Sequence, residues 1–253
     1  MSRLDWPYTT IAILSLAGVV AAAGMRPSPG QRAQSVPSTP VRLAEMRHHF
    51  AQVMLVHEAV IRGDLPSVRE PAVSLASVGI PAGLPAAAGP YVVAVREASQ
   101  RAVEAKTLTA AAEATVAMVT ECANCHRAIG VFPAVSRGTT RDVGGVVGHM
   151  LEHQRAVDEL LIGLMVPSPS QWIQGAERLR VADLRPGELP KDPQLTKWVR
   201  EADVRVHQLA DQAVVAETPA QRAAAYAGLM TTCAQCHGLH SKVWGPGRGG
   251  LRP

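Results

Sequence analysis

All four cysteines of the chain lie in two frames of identical spacing, Cys122-Ala-Asn-Cys125-His126 and Cys233-Ala-Gln-Cys236-His237. The C-x-x-C-H spacing is the attachment signature of a c-type haem. Two thiols three residues apart at a helix end meet the two vinyl groups on one porphyrin edge. The next residue then brings an imidazole beneath the ring as the proximal iron ligand. Two cysteine pairs would also suit zinc, but zinc leaves the adjoining histidines unexplained. Thioredoxin-like redox chemistry needs a strand–helix–strand setting, which this alanine-rich sequence lacks. With no spare cysteine there is no disulfide framework. The reading is two covalently bound haem c groups, one on Cys122, Cys125 and His126 and one on Cys233, Cys236 and His237.

Composition fits a core filled partly by something other than protein. Aromatic residues are only 4% of the chain, so large rings cannot build the interior; closely packed small residues or a cofactor must. The net charge of +4 is too weak, and too poor in basic runs, for nucleic acid. The propionates of two haems, about four negative charges, would largely cancel it.

Residues 8–25, YTTIAILSLAGVVAAAGM, are uncharged and mostly apolar. At 18 residues the stretch meets the lower limit for a membrane-spanning helix. Arg3 and the run Ala21-Ala22-Ala23 also fit a signal peptide. Trp6 and Tyr8, placed as an interfacial aromatic belt, tilt the balance toward a retained anchor. Either way the remainder is exported to the periplasm. Residues 26–38 are rich in Pro, Ser, Gly and Gln and read as an extended tether.

The rest of the chain repeats. Thr39, His49, Val60 and Gly63 align at an offset of 100 with Thr139, His149, Leu160 and Gly163. Near the cysteines the offset is 111, pairing Thr107, Ala114 and Cys122 with Thr218, Ala225 and Cys233. Each copy predicts four helices. In the first, Pro40 follows a capping Thr39, and Leu43, Met46, Phe50, Val53, His57 and Val60 form an apolar stripe. Helices over 66–77, 91–106 and from 109 through the cysteines follow. The second copy predicts helices from 139, over 168–181 and 193–216, and from Thr218 through Cys236. Short connections imply antiparallel neighbours and four-helix bundles. The expected fold is all-α: two tandem bundles over 39–136 and 137–240, preceded by the N-terminal segment 1–25 and the linker, and followed by a Gly-rich tail at 241–253.

A four-helix bundle with C-x-x-C-H near its C-terminus resembles the cytochrome c-prime family and its low-spin relatives, here fused in tandem over about residues 39–240. The resemblance implies thioether bonds at Cys122, Cys125, Cys233 and Cys236, with proximal ligation by His126 and His237. It also implies that the opposite iron face is empty or is filled from the first helix of each copy.

Candidates for that distal position are Met46, His48, His49, Met54 and His57 in copy one, and His149, Met150 and His153 in copy two. His57 lies eight residues beyond His49, about 12 Å further from the haem end, and reads as an edge or partly buried histidine. At offset 100 only His49 and His149 match, which favours them as iron ligands. Met46 or Met150, and an empty face, stay open. Trp172 and Trp198 have no counterpart in copy one and read as core or haem-covering residues. The tail reads as a docking or disordered end, and His240 and Trp244, just after the second frame, as residues packing against the exposed edge of its haem.

The functional expectation is a non-enzymatic di-haem electron carrier at the periplasmic membrane face, exchanging electrons with a membrane-bound complex or another carrier, or wired into a photosynthetic or respiratory assembly. No nucleophile or paired carboxylates mark a substrate pocket. The alternative is a five-coordinate haem protein binding nitric oxide, carbon monoxide or peroxide, with Phe50 and Met150 crowding an empty face.

Overall fold

Helix boundaries in this chain are set by short polar caps. In the computed structural model, Asp64 accepts from the Ser67 amide, Thr107 from Ala110, Ser168 from Gln171 and Asp192 from Leu195. Each such bond satisfies one of the orphan donors of a helix start. Thr218 accepts from the Gln221 amide, while the Gln221 side chain accepts from the Thr218 amide at 2.9 Å, a reciprocal capping box. Pro169, Pro193 and Pro219 open their helices, where a missing N–H costs nothing.

The described residues are 40–81, 83–133, 135, 145–182, 184, 189 and 191–244, with side chains from 42 to 239. They form eight α-helices and one 3-10 turn (Ala86–Ala88), with no strand among them. The helices are α1 (Pro40–Ile61), α2 (Leu65–Ala76), α3 (Gly89–Glu104), α4 (Leu108–Ile129), α5 (Gly145–Met165), α6 (Pro169–Arg180), α7 (Pro193–Val214) and α8 (Pro219–Trp244). The all-α expectation holds, and helix positions follow the expected ones closely. One difference is that α8 continues through His237 to Trp244, so the start of the expected tail is helix. No helix among the described residues is long and apolar enough to cross a membrane. The N-terminal segment, the tether, Thr39, Thr139, the boundary at 136 and the end of the tail lie outside the described residues, as do the side chains of His240 and Trp244.

The caps correct the internal alignment. Asp64 and Ser168 cap α2 and α6, which are both 12 residues long, so the true offset there is 104. That register sets Ile61 against Met165, the last residues of α1 and α5. It also sets His49 against His153, not His149. The largest difference in length between helices at matching places is that of α7, with 22 residues, and α3, with 16.

Within each half, consecutive helices pack on one another and the fourth returns to the first. The halves are also packed together: α4 lies on α8 and α5, and α1 on α8. A single hydrophobic core runs through both, joining Val56, Val60 and Met118 to Leu160, Tyr226 and Met230. Fully buried alanines on α4, Ala111 and Ala112, let the backbones approach closely. At Gly63 (φ +72°) the approach is closer still: a Cβ there would lie 2.7 Å from the Gly238 nitrogen and 3.0 Å from the Ala234 carbonyl. The turn needs positive φ, and the contact admits no side chain.

His57 is not at an edge; it is fully buried. Its Nε2 shares a 2.6 Å hydrogen bond with the Tyr226 hydroxyl of the other half, and the two rings stack with centroids 6.0 Å apart. Tyr226 also donates to the Val157 carbonyl at 3.3 Å. Trp172 is core as well, donating from Nε1 to the Ala213 carbonyl at 2.8 Å, so it fills the second half rather than covering a cofactor.

Tyr226→Phe keeps the ring and removes the hydroxyl from this network. The expected loss is about 1–3 kcal/mol of folding stability, read from urea denaturation. An unchanged midpoint would mean that the cross-half bond contributes nothing.

Candidate functional site

Alanines from Ala111 to Ala123 bury one face of α4 and hold the helix against its neighbours. Its last turns carry Cys122, Cys125 and His126 before Gly130 (φ 66°) ends it in the left-handed region. The second frame, Cys233 to His237, lies inside α8. In both, the two cysteines sit three residues apart on one helix face, and all four are free.

Burial pushes the Cys122 and Cys233 thiols up to about 12, with the neighbouring Cys125 and Cys236 adding to the shift. Burial also raises Cys125 and Cys236. Redox-active and metal-binding cysteines have the opposite character, a lowered pKa and a populated thiolate.

The motif histidines are held crosswise. His126 Nδ1 donates to the carbonyl of Met165, the last residue of α5, at 3.1 Å. His237 Nδ1 donates to the carbonyl of Ile61, the last residue of α1, at 2.7 Å. Both acceptors are helix-end carbonyls with no partner inside their own helix. A proton committed to Nδ1 puts the lone pair on Nε2, the tautomer that a metal ligand needs. Burial keeps His126 below the usual histidine range, against the Met165 carbonyl, which draws it up.

Among the expected distal residues, His49 is half-buried and shifted down by burial and then by His48. Gly63 meets Gly238, and Gly238 lies against the Leu108 side chain. The end of α1 and the start of α4 therefore converge, and α4 runs back along α1 toward His49. Phe50 and Met54 are only partly buried, and Leu43 is 42% exposed. The apolar stripe of α1 is thus left incompletely covered at the end where α4 carries its cysteines.

His149 lies elsewhere in the second half. Its Nε2 is 3.5 Å from Asp203 Oδ1, and its ring is 4.2 Å from that of His153. His153, shifted down to about 4 by burial and then by His149, belongs to the same cluster, as does His207. Sequence reasoning set His153 aside through the offset of 100 and passed over Asp203 and His207. The i, i+4 spacings of both pairs, 149/153 and 203/207, were the available signal.

Comparison with protein-family models, with curated proteins and with solved structures returns no match.

The buried thiols carry a pH signature. In the unfolded chain they ionise near 9.0, and in the folded chain Cys122 and Cys233 ionise only at about 12. A raised folded pKa stabilises below the unfolded value and is lost as pH rises through the folded one. Protein prepared with free thiols should therefore lose stability progressively above pH 9. Protein with thioethers at these cysteines should lack that slope. Urea midpoints at stepped pH measure both.

Proposed function

We propose that the chain is a di-haem c-type cytochrome built as two four-helix bundles, and that it transfers single electrons on the periplasmic side of a membrane. The observation that carries this is the pairing of each C-x-x-C-H frame with a histidine whose Nδ1–H is committed to a backbone carbonyl. Cys122 and Cys125 would hold one haem and Cys233 and Cys236 the other, with His126 and His237 presenting Nε2 to iron. Bound haem supplies one-electron oxidation and reduction at iron. The protein's part is to hold, orient and partly shield it, and the uncovered stripe of α1 beside α4 is apt for that.

On the first haem, His49 is the proposed distal ligand, because it lies on α1 at the end that α4 approaches with its cysteines. No distal residue is proposed for the second haem, since His149 and His153 turn toward Asp203. The N-terminal segment would serve as membrane anchor or export signal. The partners would be a membrane-bound electron-transfer complex or a second carrier.

Covalent attachment is tested by mass and by colour after acid–acetone extraction. Two haems per chain that resist extraction are expected, with one lost in Cys122→Ser/Cys125→Ser and one in Cys233→Ser/Cys236→Ser. An intact mass equal to the bare chain overturns the reading.

Ligation by His49 makes a separate prediction. Replacing it opens a coordination position on one iron, so His49→Ala should take up one more equivalent of carbon monoxide per chain than the wild type. His57→Ala, altering a residue bonded to Tyr226, should lower stability and leave carbon monoxide uptake unchanged. Equal uptake by His49→Ala and wild type would remove His49 as ligand and favour a gas-binding haem protein.

A further inference from the structure

We propose that His149, His153 and Asp203, with His207 beside Asp203, form a binding site for one zinc ion. His149 and His153 are one turn apart on α5, and Asp203 and His207 one turn apart on α7, so each pair shares a helix face. These helices do not pack directly on each other; the side chains of His149, His153 and Asp203 meet across the space between them. Metal sites in bundles are built from side chains of facing helices in this manner.

Three observations point to an ion. First, the ligand atoms of His149, His153 and Asp203 all lie within 4.8 Å of one another. His149 Nε2 and His207 Nε2 stand 3.5 and 3.7 Å from Asp203 Oδ1. Those distances exceed a good N–H···O bond, about 2.7–3.2 Å. The first matches the spacing of two ligands on a tetrahedral zinc, about 3.3–3.6 Å from metal–ligand bonds of about 2.0–2.2 Å, and the second lies just beyond it.

Second, His149 Nε2, His153 Nε2, His207 Nε2 and Asp203 Oδ1 are all buried and all lack a hydrogen-bond partner. His149 and His153 are only 7% and 8% exposed. Buried polar atoms without hydrogen bonds are rare in folded proteins; His149 and His207 stand at ion-pair distance from Asp203, and the converging atoms of His149, His153 and Asp203 mark a place for something that bonds them together.

Third, His153 donates to the Ala182 carbonyl while its Nε2 lacks a partner, so Nδ1 carries the proton and Nε2 the lone pair. An outer carbonyl fixing the tautomer is the usual support of a ligating histidine.

Two imidazoles and one carboxylate form a donor set of borderline softness, which zinc accepts with one further position left for water. The site has no counterpart in the first half. At the offset of 111 that joins the caps of α4 and α8, Asp203 and His207 correspond to Val92 and Arg96. Zinc binding is read by metal content and not by haem, so the two readings fail separately.

The test uses the purified full chain as isolated, stripped with a chelator and titrated with zinc chloride against a chromophoric indicator. Bound zinc and iron are counted by elemental analysis. One tight zinc equivalent per chain is expected, with a rise in melting temperature as the site fills. His153→Ala and Asp203→Asn should weaken binding more than the roughly 10–100-fold lost when only an orienting partner is removed. His207→Ala should weaken it less, and His49→Ala not at all. Circular dichroism confirms that each variant is folded. Wild-type protein that takes up no zinc overturns the proposal, as does undiminished binding by Asp203→Asn. A shift of one haem from low to high spin in His153→Ala or His149→Ala, with no zinc uptake by wild type, would assign these histidines to iron instead. Absence of haem with zinc still bound would sink the cytochrome reading and leave this site standing.

Discussion

Each motif histidine is anchored by a helix from the opposite half, and the arrangement of the molecule follows from that exchange. His126 reaches the end of α5 and His237 the end of α1. Neither imidazole would find these acceptors inside its own copy. The bond satisfies a carbonyl that the helix leaves open and fixes the imidazole tautomer. It requires α4 to lie along α5 and α8 along α1, the packing observed. Gly63 is part of the same constraint, since only a residue without a side chain lets the end of α1 meet α8 beside the second frame. The histidine geometry of each half is therefore a property of the pair.

The shared core carries the same message in its polar residues. His57 of one half and Tyr226 of the other are both fully buried and bonded at 2.6 Å. Asp158, on the second half, stands 3.9 Å from His57 Nδ1 and accepts from Gln154 at 2.9 Å. Buried polar groups are tolerated when bonded and costly when one partner is withdrawn. Separating the halves would withdraw partners from His57 and Tyr226 together, besides exposing the faces of α4 and α8. Coupling between the two frames is thus built into the packing, whatever each of them holds.

Much of this was legible in the sequence where the signal is local. Prolines after capping residues, Gly130 after the first frame and the 3.6-residue stripe of α1 all act within a few residues of themselves, and the helices start and stop near the expected places. The reading of His49 and His149 as equivalent rested on four matched residues at an offset of 100. The caps Asp64 and Ser168, the better markers because they fix backbone geometry, give 104. Short helical patterns tolerate such a slip, since a shift of four residues moves a helix by about one turn and preserves the face. His57 looked marginal because a lone histidine on an apolar stripe carries no sign of its partner. That partner, Tyr226, is 169 residues away. The same distance in sequence concealed Asp203 from His149.

The two halves keep the C-x-x-C-H frame and its crosswise bond in common, and differ most where polar residues enter the interior. Across the α1–α3 side, the positions matching Asp203 and His207 hold Val92 and Arg96. Across α5 and α7, they hold a carboxylate grouped with two further imidazoles and an imidazole 3.7 Å from that carboxylate. A buried carboxylate needs either hydrogen bonds or positive charge beside it. A protonated His153 is a poor source of that charge, because burial and then the neighbouring His149 disfavour its charged form. A divalent ion supplies the charge and bonds the imidazole lone pairs at once, turning mutual repulsion into shared coordination. The features that would make this cluster a defect in a plain helical core are those that make it a coordination site.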